Sequence, residues 1–279
     1  MTWDTPETRE LIARALDEDI GAGDLTSLAC VPAESRARGR FIAKRPLVVA
    51  GIELLLLVYE IRRKNAVSLQ LRVASGERAA AGVVLAEVEG PTRLLLECER
   101  VALNFVQHLS GVATLTRRFV DAIEGTRACI RDTRKTMPGL RRLEKLAVVS
   151  GGGTNQRMGL YDVLLIKENH IAAAGGIRNA LEQCVERHQE GIEIQIEVRN
   201  LDELNEALEA GARSILLDNF SVDDAARATA LARGRAIVEI SGGVTLENVR
   251  AYAAAGPERI SVGALTHSAP AADISFLID

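Results

Sequence analysis

Aromatic side chains are scarce in this sequence, at 3% of residues with a single Trp. That scarcity excludes a base-stacking platform for single-stranded nucleic acid. There is no excess of positive charge either. A formal net charge of −4 at pH 7 argues against a general nucleic-acid binder and leaves room only for a local basic pocket. No hydrophobic run approaches the roughly 20 residues that span a bilayer. The longest, from Ile52 to Ile61, is interrupted by Glu53 and Glu60. The amino terminus is acidic (Asp4, Glu7, Glu10) and does not read as a signal peptide. Cysteine is sparse: Cys30, Cys98, Cys129 and Cys184 lie far apart and form no C-x-x-C pair. They read as buried or reduced thiols. The four histidines, His108, His170, His188 and His267, lack zinc-ligand spacing. These absences exclude a membrane protein, a disulfide scaffold and a zinc module, and they predict a cytoplasmic protein.

What is present is a chain of 279 residues, 47% hydrophobic and 26% charged. That is the profile of a globular protein with one large domain or two modest ones. The pattern changes near position 110. Before it, Leu11–Glu18 has helical spacing, and Arg38–Ala43, Ser68–Val73 and Val83–Glu89 read as short strands between glycine turns. A strong helix follows over Leu94–Ile123, with a break expected at Ser110-Gly111. Residues 1–110 are therefore expected to form an α+β unit.

From Cys129 onward, short apolar runs end in polar residues and are followed by helical segments. The runs are Ala128–Asp132, Val163–Lys167, Ile194–Val198, Ser214–Asp218, Ala236–Ile240 and Arg259–Val262. The helices are Leu140–Val149, Ile177–His188, Leu201–Ala210, Asp223–Ala232 and Leu246–Ala254. This alternation predicts a parallel sheet with right-handed crossovers. Glu197, Asp218 and Glu239 are spaced 21 residues apart, compact units that suit a β/α barrel. No G-x-G-x-x-G fingerprint follows the first clear strand, which argues against an open dinucleotide-binding sheet. Six strands fall short of eight, so residues 111–264 are expected to form an open, incomplete barrel. The tail, 265–279, is expected to return to the first domain as one more strand.

Functional residues of such barrels sit at the carboxyl ends of the strands. Here Arg134 and Lys135 follow the first strand, Lys167 ends the second, Glu197 lies at the end of the third and Asp218 ends the fourth. Ser241-Gly242-Gly243 follows the fifth and Gly263-Ala264 the sixth. Packing alone does not select charge at strand after strand. Glu197 and Asp218 form an acidic pair able to share Mg²⁺, directly or through water, or to pair with Lys167 or Arg134. The two glycine-bearing loops, with a helix expected to start near Thr245, suit a phosphate group. Arg134, Lys135, Arg157 and Lys167 facing one mouth suit a polyanion. Arg141, Arg142 and Lys145, on the following helix, read as solvated surface. Gly151-Gly152-Gly153 ends that helix and lets the next loop bend over a ligand.

The segments DTRKTMPGLR, GGGTNQRMGLYD, LLIKENHI, LLDNF, EISGGV and SVGALTHS resemble the quinolinate phosphoribosyltransferase family, as do EDIGAGDLT and ERVALNFVQHLSG nearer the amino terminus. The resemblance runs from about Asp17 to Ile274 and implies an α/β sandwich domain with an open β/α barrel. It implies transfer of phosphoribose from phosphoribosyl pyrophosphate to quinolinate with decarboxylation, giving nicotinate mononucleotide for NAD synthesis. It also implies Mg²⁺ and a homodimer or dimer-based oligomer in which Arg100 reaches the partner's site. Arg134, Lys135, Arg157 and Lys167 match the residues that hold the substrate carboxylates and pyrophosphate. Glu197 and Asp218 match acidic residues near the ribose and its metal. Ser241, Gly242 and Gly243, with Val262, Gly263 and Ala264, match the loops on the 5′-phosphate. The resemblance implies that Lys135, Lys167, Glu197 and Asp218 are the catalytic set.

Gln156 departs from the pattern, since the family reads His between the Asn and Arg of that loop. Gln donates a hydrogen bond but carries no charge, and a neutral donor there weakens a carboxylate contact by about 1 kcal/mol. This leaves open a paralogous transferase for another ring acid. A Schiff-base lysine at Lys167 and a catalytically silent nucleotide binder are the other readings.

Overall fold

The structure is a computed structural model and describes residues 2–187 and 191–279. The chain begins with α1 (Pro6–Ile20), α2 (Leu25–Cys30), β1 (Arg36–Ala43), β2 (Leu47–Val48) and α3 (Leu54–Arg62). Next come β3 (Ser68–Leu71), β4 (Arg78–Ala79), β5 (Val84–Pro91) and α4 (Thr92–Ala122). The alternating part contains β6 (Cys129–Arg131), α5 (Arg141–Ser150), β7 (Leu164–Ile166), α6 (Glu168–Ala174), α7 (Ile177–Arg187) and β8 (Ile194–Val198). It continues through α8 (Leu201–Glu209), β9 (Ser214–Asp218), α9 (Val222–Ala232), β10 (Ile237–Ser241), α10 (Val249–Ala254) and β11 (Arg259–Ser261). The chain ends with α11 (Ala264–His267) and β12 (Ile274–Ile278). The helix expected over Ile177–His188 is α7, and its last expected residue, His188, lies outside the described residues.

These elements form two compact units. The first comprises residues up to Arg117, Met137–Gly152 and Ser268–Asp279. Its sheet has the order β12-β1-β5-β3 and is antiparallel. The tail strand β12 pairs along β1 and sets Phe41 opposite Phe276, with ring centroids 4.7 Å apart. Helix α1 starts where Thr5 accepts the Thr8 N–H and Pro6 follows, and it packs on α3.

The break expected at Ser110-Gly111 does not occur, and α4 runs unbroken for 31 residues. The two residues serve packing instead. The Ser110 hydroxyl accepts the Ala50 N–H at 3.1 Å. A Cβ on Gly111 would lie 2.1 Å from the Pro270 carbonyl oxygen, so only glycine lets the tail approach this helix.

Helix α5 also corrects the sequence reading: Lys145 is fully buried rather than solvated, as is its neighbour Glu144. Glu144 accepts from His108 at 2.8 Å and from the Met137 N–H at 3.1 Å, which fastens α5 to α4 and explains why 137–152 belongs to this unit. All four cysteines are free, and burial pushes the Cys98 thiol up to about 12, the behaviour of an inert core thiol.

The second unit comprises Arg118–Thr136 and Gly153–His267. Its six strands are parallel in the order β6-β11-β10-β9-β8-β7, and β6 and β7 form the two edges of an open barrel. Thr154 adds a single parallel bridge outside β6, donating to the Ile130 carbonyl at 2.8 Å and accepting the Asp132 N–H at 3.2 Å. Crossover helices begin at side-chain caps: Asn200 accepts the Glu203 N–H for α8, and Ser221 accepts the Asp224 N–H for α9. One sheet face carries Ile196, Val198, Ile215, Leu217, Val238, Ile240 and Ile260, all fully buried. Side chains alternate along a strand, so the opposite face carries Gln195, Glu197, Leu216, Asp218, Glu239, Ser241, Arg259, Ser261 and Arg131. Among the described residues no helix is long and apolar enough to cross a membrane.

One ion pair on that polar face carries a pH signature. Glu193 accepts from Ser214 at 2.7 Å and from Arg259 at 2.5 Å. Burial alone would push its carboxyl up. The hydrogen bonds from Ser214 and Arg259, with the charges of Arg259 and Arg131, outweigh burial and hold it below the usual range. A depressed carboxyl adds stability above its unfolded pKa, and that stability is lost as pH falls through the folded value. Glu193→Gln is therefore expected to melt below wild type at pH 7, with the gap closing as pH drops below about 4. Thermal melts across pH 3–7 check this, and a gap that stays constant would contradict it.

Candidate active site

In a parallel sheet all carboxyl ends lie at one edge, so the strand order becomes the order of functional groups. Across that edge run Arg134 and Lys135 after β6, Val262–Ala264 after β11, Ser241–Gly243 after β10, Asp218 on β9, Glu197 on β8 and Lys167 after β7. The two glycine loops are neighbours, as the sequence reading required. The two carboxylates follow them, on adjacent strands and on one face: Glu197 sits opposite Leu216, two residues before Asp218.

Lys167 caps α6, its N–H bonded to His170 Nδ1 at 2.9 Å, while its ammonium reaches Glu197 at 2.8 Å. Lys135 is exposed at the rim. Its carbonyl accepts from the Thr266 hydroxyl at 2.7 Å, and a Cβ on Gly263 would lie 3.2 Å from its side chain. Both contacts bring Lys135 to the loop after β11. Asp218 accepts from the side-chain amide of Asn219 at 2.9 Å. Asn219 in turn donates its N–H to the Ser241 carbonyl, which couples the β9 and β10 loops. At Gly242 φ is +91°, and a Cβ would meet Asn219 Oδ1 at 2.2 Å, so this turn requires glycine. The next position, Gly243, opens on empty space.

The helix expected near Thr245 starts later, at Val249. Asn248 Oδ1 already accepts the Thr245 N–H, and the Asn248 amide donates to the Gly243 carbonyl, so an Asn-closed turn replaces the expected helix end. The short helix α11 begins directly after Gly263 instead. The first of the three consecutive glycines is a packing residue, since a Cβ on Gly151 would lie 2.5 Å from the Ala113 carbonyl oxygen.

The environment of Arg157 is not explained by folding alone. It is 8% exposed, its Nη1 reaches only the Val163 carbonyl at 3.4 Å, and its buried Nε has no hydrogen-bond partner among the described residues. Burial and the like charge of Arg134 push this guanidinium down from its ordinary value, against smaller opposing effects of Asp162 and Glu197. A buried cation with an unspent donor beside a second cation is costly without an anion.

The carboxyl-terminal part of the chain, residues 112–277, matches the family model for the quinolinate phosphoribosyl transferase C-terminal domain. Residues 24–110 match the model for the N-terminal domain. The chain belongs to the quinolinate phosphoribosyl transferase family. It is 44% identical over 273 residues to the nicotinate-nucleotide pyrophosphorylase [carboxylating] of Mycobacterium leprae, covering 96% of each chain. It is 40% identical to a probable nicotinate-nucleotide pyrophosphorylase [carboxylating] of Bacillus subtilis, over 97% of this chain and 93% of that one. The solved nicotinate-nucleotide pyrophosphorylase of Francisella tularensis superposes with a TM-score of 0.92 at 34% identity, covering 99% of this chain and 98% of that one.

Within this quinolinate phosphoribosyl transferase chain, sequence reasoning missed a buried group on the polar sheet face. Glu239 is fully buried and accepts from Arg131 at 2.8 Å, Gln156 at 2.9 Å, Gln195 at 3.0 Å and Ser261 at 2.5 Å. The available signal was a carboxylate within the otherwise apolar run Ala236–Ile240. Gln156, expected at a substrate carboxylate, has its amide nitrogen bonded to this residue. Arg100 lies exposed on α4 in the first unit.

Proposed function

We propose that this chain transfers phosphoribose from phosphoribosyl pyrophosphate to the ring nitrogen of quinolinate, releasing pyrophosphate and CO₂ and giving nicotinate mononucleotide for NAD synthesis. The observation that carries this reading is Arg157, a buried guanidinium with an unspent Nε–H beside Arg134. Both cations suit the two carboxylates of the acid, because a guanidinium fork matches a carboxylate. The names borne by relatives alike over nearly the whole chain support the same reaction.

In the transfer, the ring nitrogen attacks the anomeric carbon and the bond to pyrophosphate oxygen breaks, its electron pair leaving with that oxygen. Positive charge develops on the ribose and negative charge on the leaving group. Glu197 and Asp218 face the ribose and lower the energy of the cation, while Lys135 and Lys167 receive the pyrophosphate. Ser241–Gly243 and Val262–Ala264 hold the 5′-phosphate, where the open position at Gly243 leaves room for it. The ring, cationic once ribosylated, stabilises the electron pair left beside its nitrogen when CO₂ departs, and that carbon then takes a proton. No side-chain nucleophile is required, so catalysis rests on orientation and electrostatics.

Among the described residues no cluster of three or more His, Cys, Asp or Glu could hold a metal alone. Two carboxylates on one face do fit Mg²⁺, which binds through one or two carboxylates and substrate phosphates. Glu197 and Asp218 would hold it, directly or through water. When bound, Mg²⁺ would supply charge neutralisation on the pyrophosphate. The assembly that fits this reading is a homodimer in which exposed Arg100 is donated to the partner's site. The four free cysteines fit a cytoplasmic setting.

A turnover assay with quinolinate, phosphoribosyl pyrophosphate and Mg²⁺ tests the reading, with nicotinate as the control acid. Nicotinate mononucleotide and CO₂ are expected in equal amounts from quinolinate, with little product from nicotinate. Product from another ring acid but none from quinolinate would overturn the substrate assignment.

A further inference from the structure

Glu239 lies two residues before Ser241 on the same face of β10, one layer below the rim that carries the site. Four donors converge on its two oxygens: Gln156 and Ser261 on Oε1, Arg131 and Gln195 on Oε2. That pattern fills the acceptor positions of the carboxylate.

The donors come from three strands and one loop, and the loop is the one that carries Arg157. Gln156 is held at both ends. Its backbone N–H donates to Asp132 Oδ1 at 2.8 Å and its side-chain amide donates to Glu239. Arg131 spans the same two elements, with Nη1 on Glu239 and Nη2 on the Asn155 carbonyl at 2.8 Å. Arg157, the next residue, makes only a long contact through Nη1 and none through Nε. Its neighbours, rather than its own bonds, set its direction.

We propose that Glu239 is a positioning residue of the anion site, acting through the Gln156 amide to fix where Arg157 presents its guanidinium. This rests on the quinolinate reading and deepens it. Gln156 spends one amide N–H on Glu239, and the acid is read by the arginine that Gln156 orients. The substitution of Gln for His is compatible with this role, since the contact requires an N–H donor and no charge.

Steady-state kinetics on a double-mutant cycle test the proposal. Gln156→Leu is expected to raise the KM for quinolinate about ten-fold or more while kcat changes less than about three-fold, the pattern of lost ground-state binding. Glu239→Gln is expected to raise the same KM. The double variant should be no worse than the poorer single variant by more than about three-fold, because both act through one contact. Gln156→His keeps an N–H donor and is expected to recover a KM within about five-fold of wild type.

Should Glu239→Gln fail to fold, Gln195→Met replaces it in the cycle, removing a different donor from the same carboxylate. An unchanged KM in Gln156→Leu overturns the proposal. So do multiplicative effects in the double variant, which would mean that Glu239 and Gln156 act independently. Wild-type protein that does not turn over quinolinate overturns the transfer reading and this inference with it. An active wild type with an unmoved Gln156→Leu overturns this inference alone.

Discussion

Replacing Arg157 by Met is expected to lower kcat/KM for quinolinate roughly 100- to 1,000-fold, equivalent to about 3–4 kcal/mol. The size follows from burial. An exposed ion pair contributes little, but in the proposed role a guanidinium that is 8% exposed would meet a carboxylate away from water, and removing it would strand the substrate's charge. Stability should move the other way. In the free protein this guanidinium has an unspent Nε and sits beside Arg134, which disfavours its charge. Met fills similar volume without charge. The variant should melt at or above the wild-type temperature, the trade expected where a site is strained for binding. Kinetics and thermal melts on one preparation check both signs. Full activity, or lost activity with a melting point more than about 5 °C lower, would remove Arg157 from its assigned role.

Glu197→Gln and Asp218→Asn are each expected to reduce kcat roughly 100-fold or more, with much smaller changes in KM, because their charge matters most when the ribose becomes cationic. Both substitutions conserve shape, so the sheet should be unaffected. The two variants should differ in one respect. Glu197 already pairs with Lys167 at 2.8 Å, so Glu197→Gln also frees that ammonium. Asp218 accepts instead from the neutral amide of Asn219, and its loss frees no cation. The KM for phosphoribosyl pyrophosphate should therefore rise less in Glu197→Gln than in Asp218→Asn: either change removes a carboxylate from the proposed metal site, but only Glu197→Gln also frees a cation for the pyrophosphate. Initial rates with each co-substrate varied in turn check this. Normal turnover in both variants would refute their roles.

The sequence by itself determined the pattern of the second unit. Apolar runs of three to five residues ending in charge, separated by capped helices, can be buried only as a parallel sheet with its carboxyl ends together. Strand β8 spans the residues that periodicity predicted, and Glu197, Asp218, Lys167 and the two glycine loops fall at one edge. The motifs around them carried the family, because they are residue types that packing does not select.

Other features were decided only by tertiary structure. Ser110-Gly111 reads locally as a helix break, yet α4 continues because the tail and the loop at Ala50 supply contacts that propensity cannot see. Lys145 reads as surface by its charge and is buried by packing. The turn before α10 is closed by Asn248, which moves the helix start beyond Thr245. Glu239 and Gln156 lie 83 residues apart, and nothing local links a strand carboxylate to a loop amide. Hydrophobic period and strand-end charge are local and repeat along the chain. Which buried donor meets which acceptor depends on register between distant strands, and folding alone sets it.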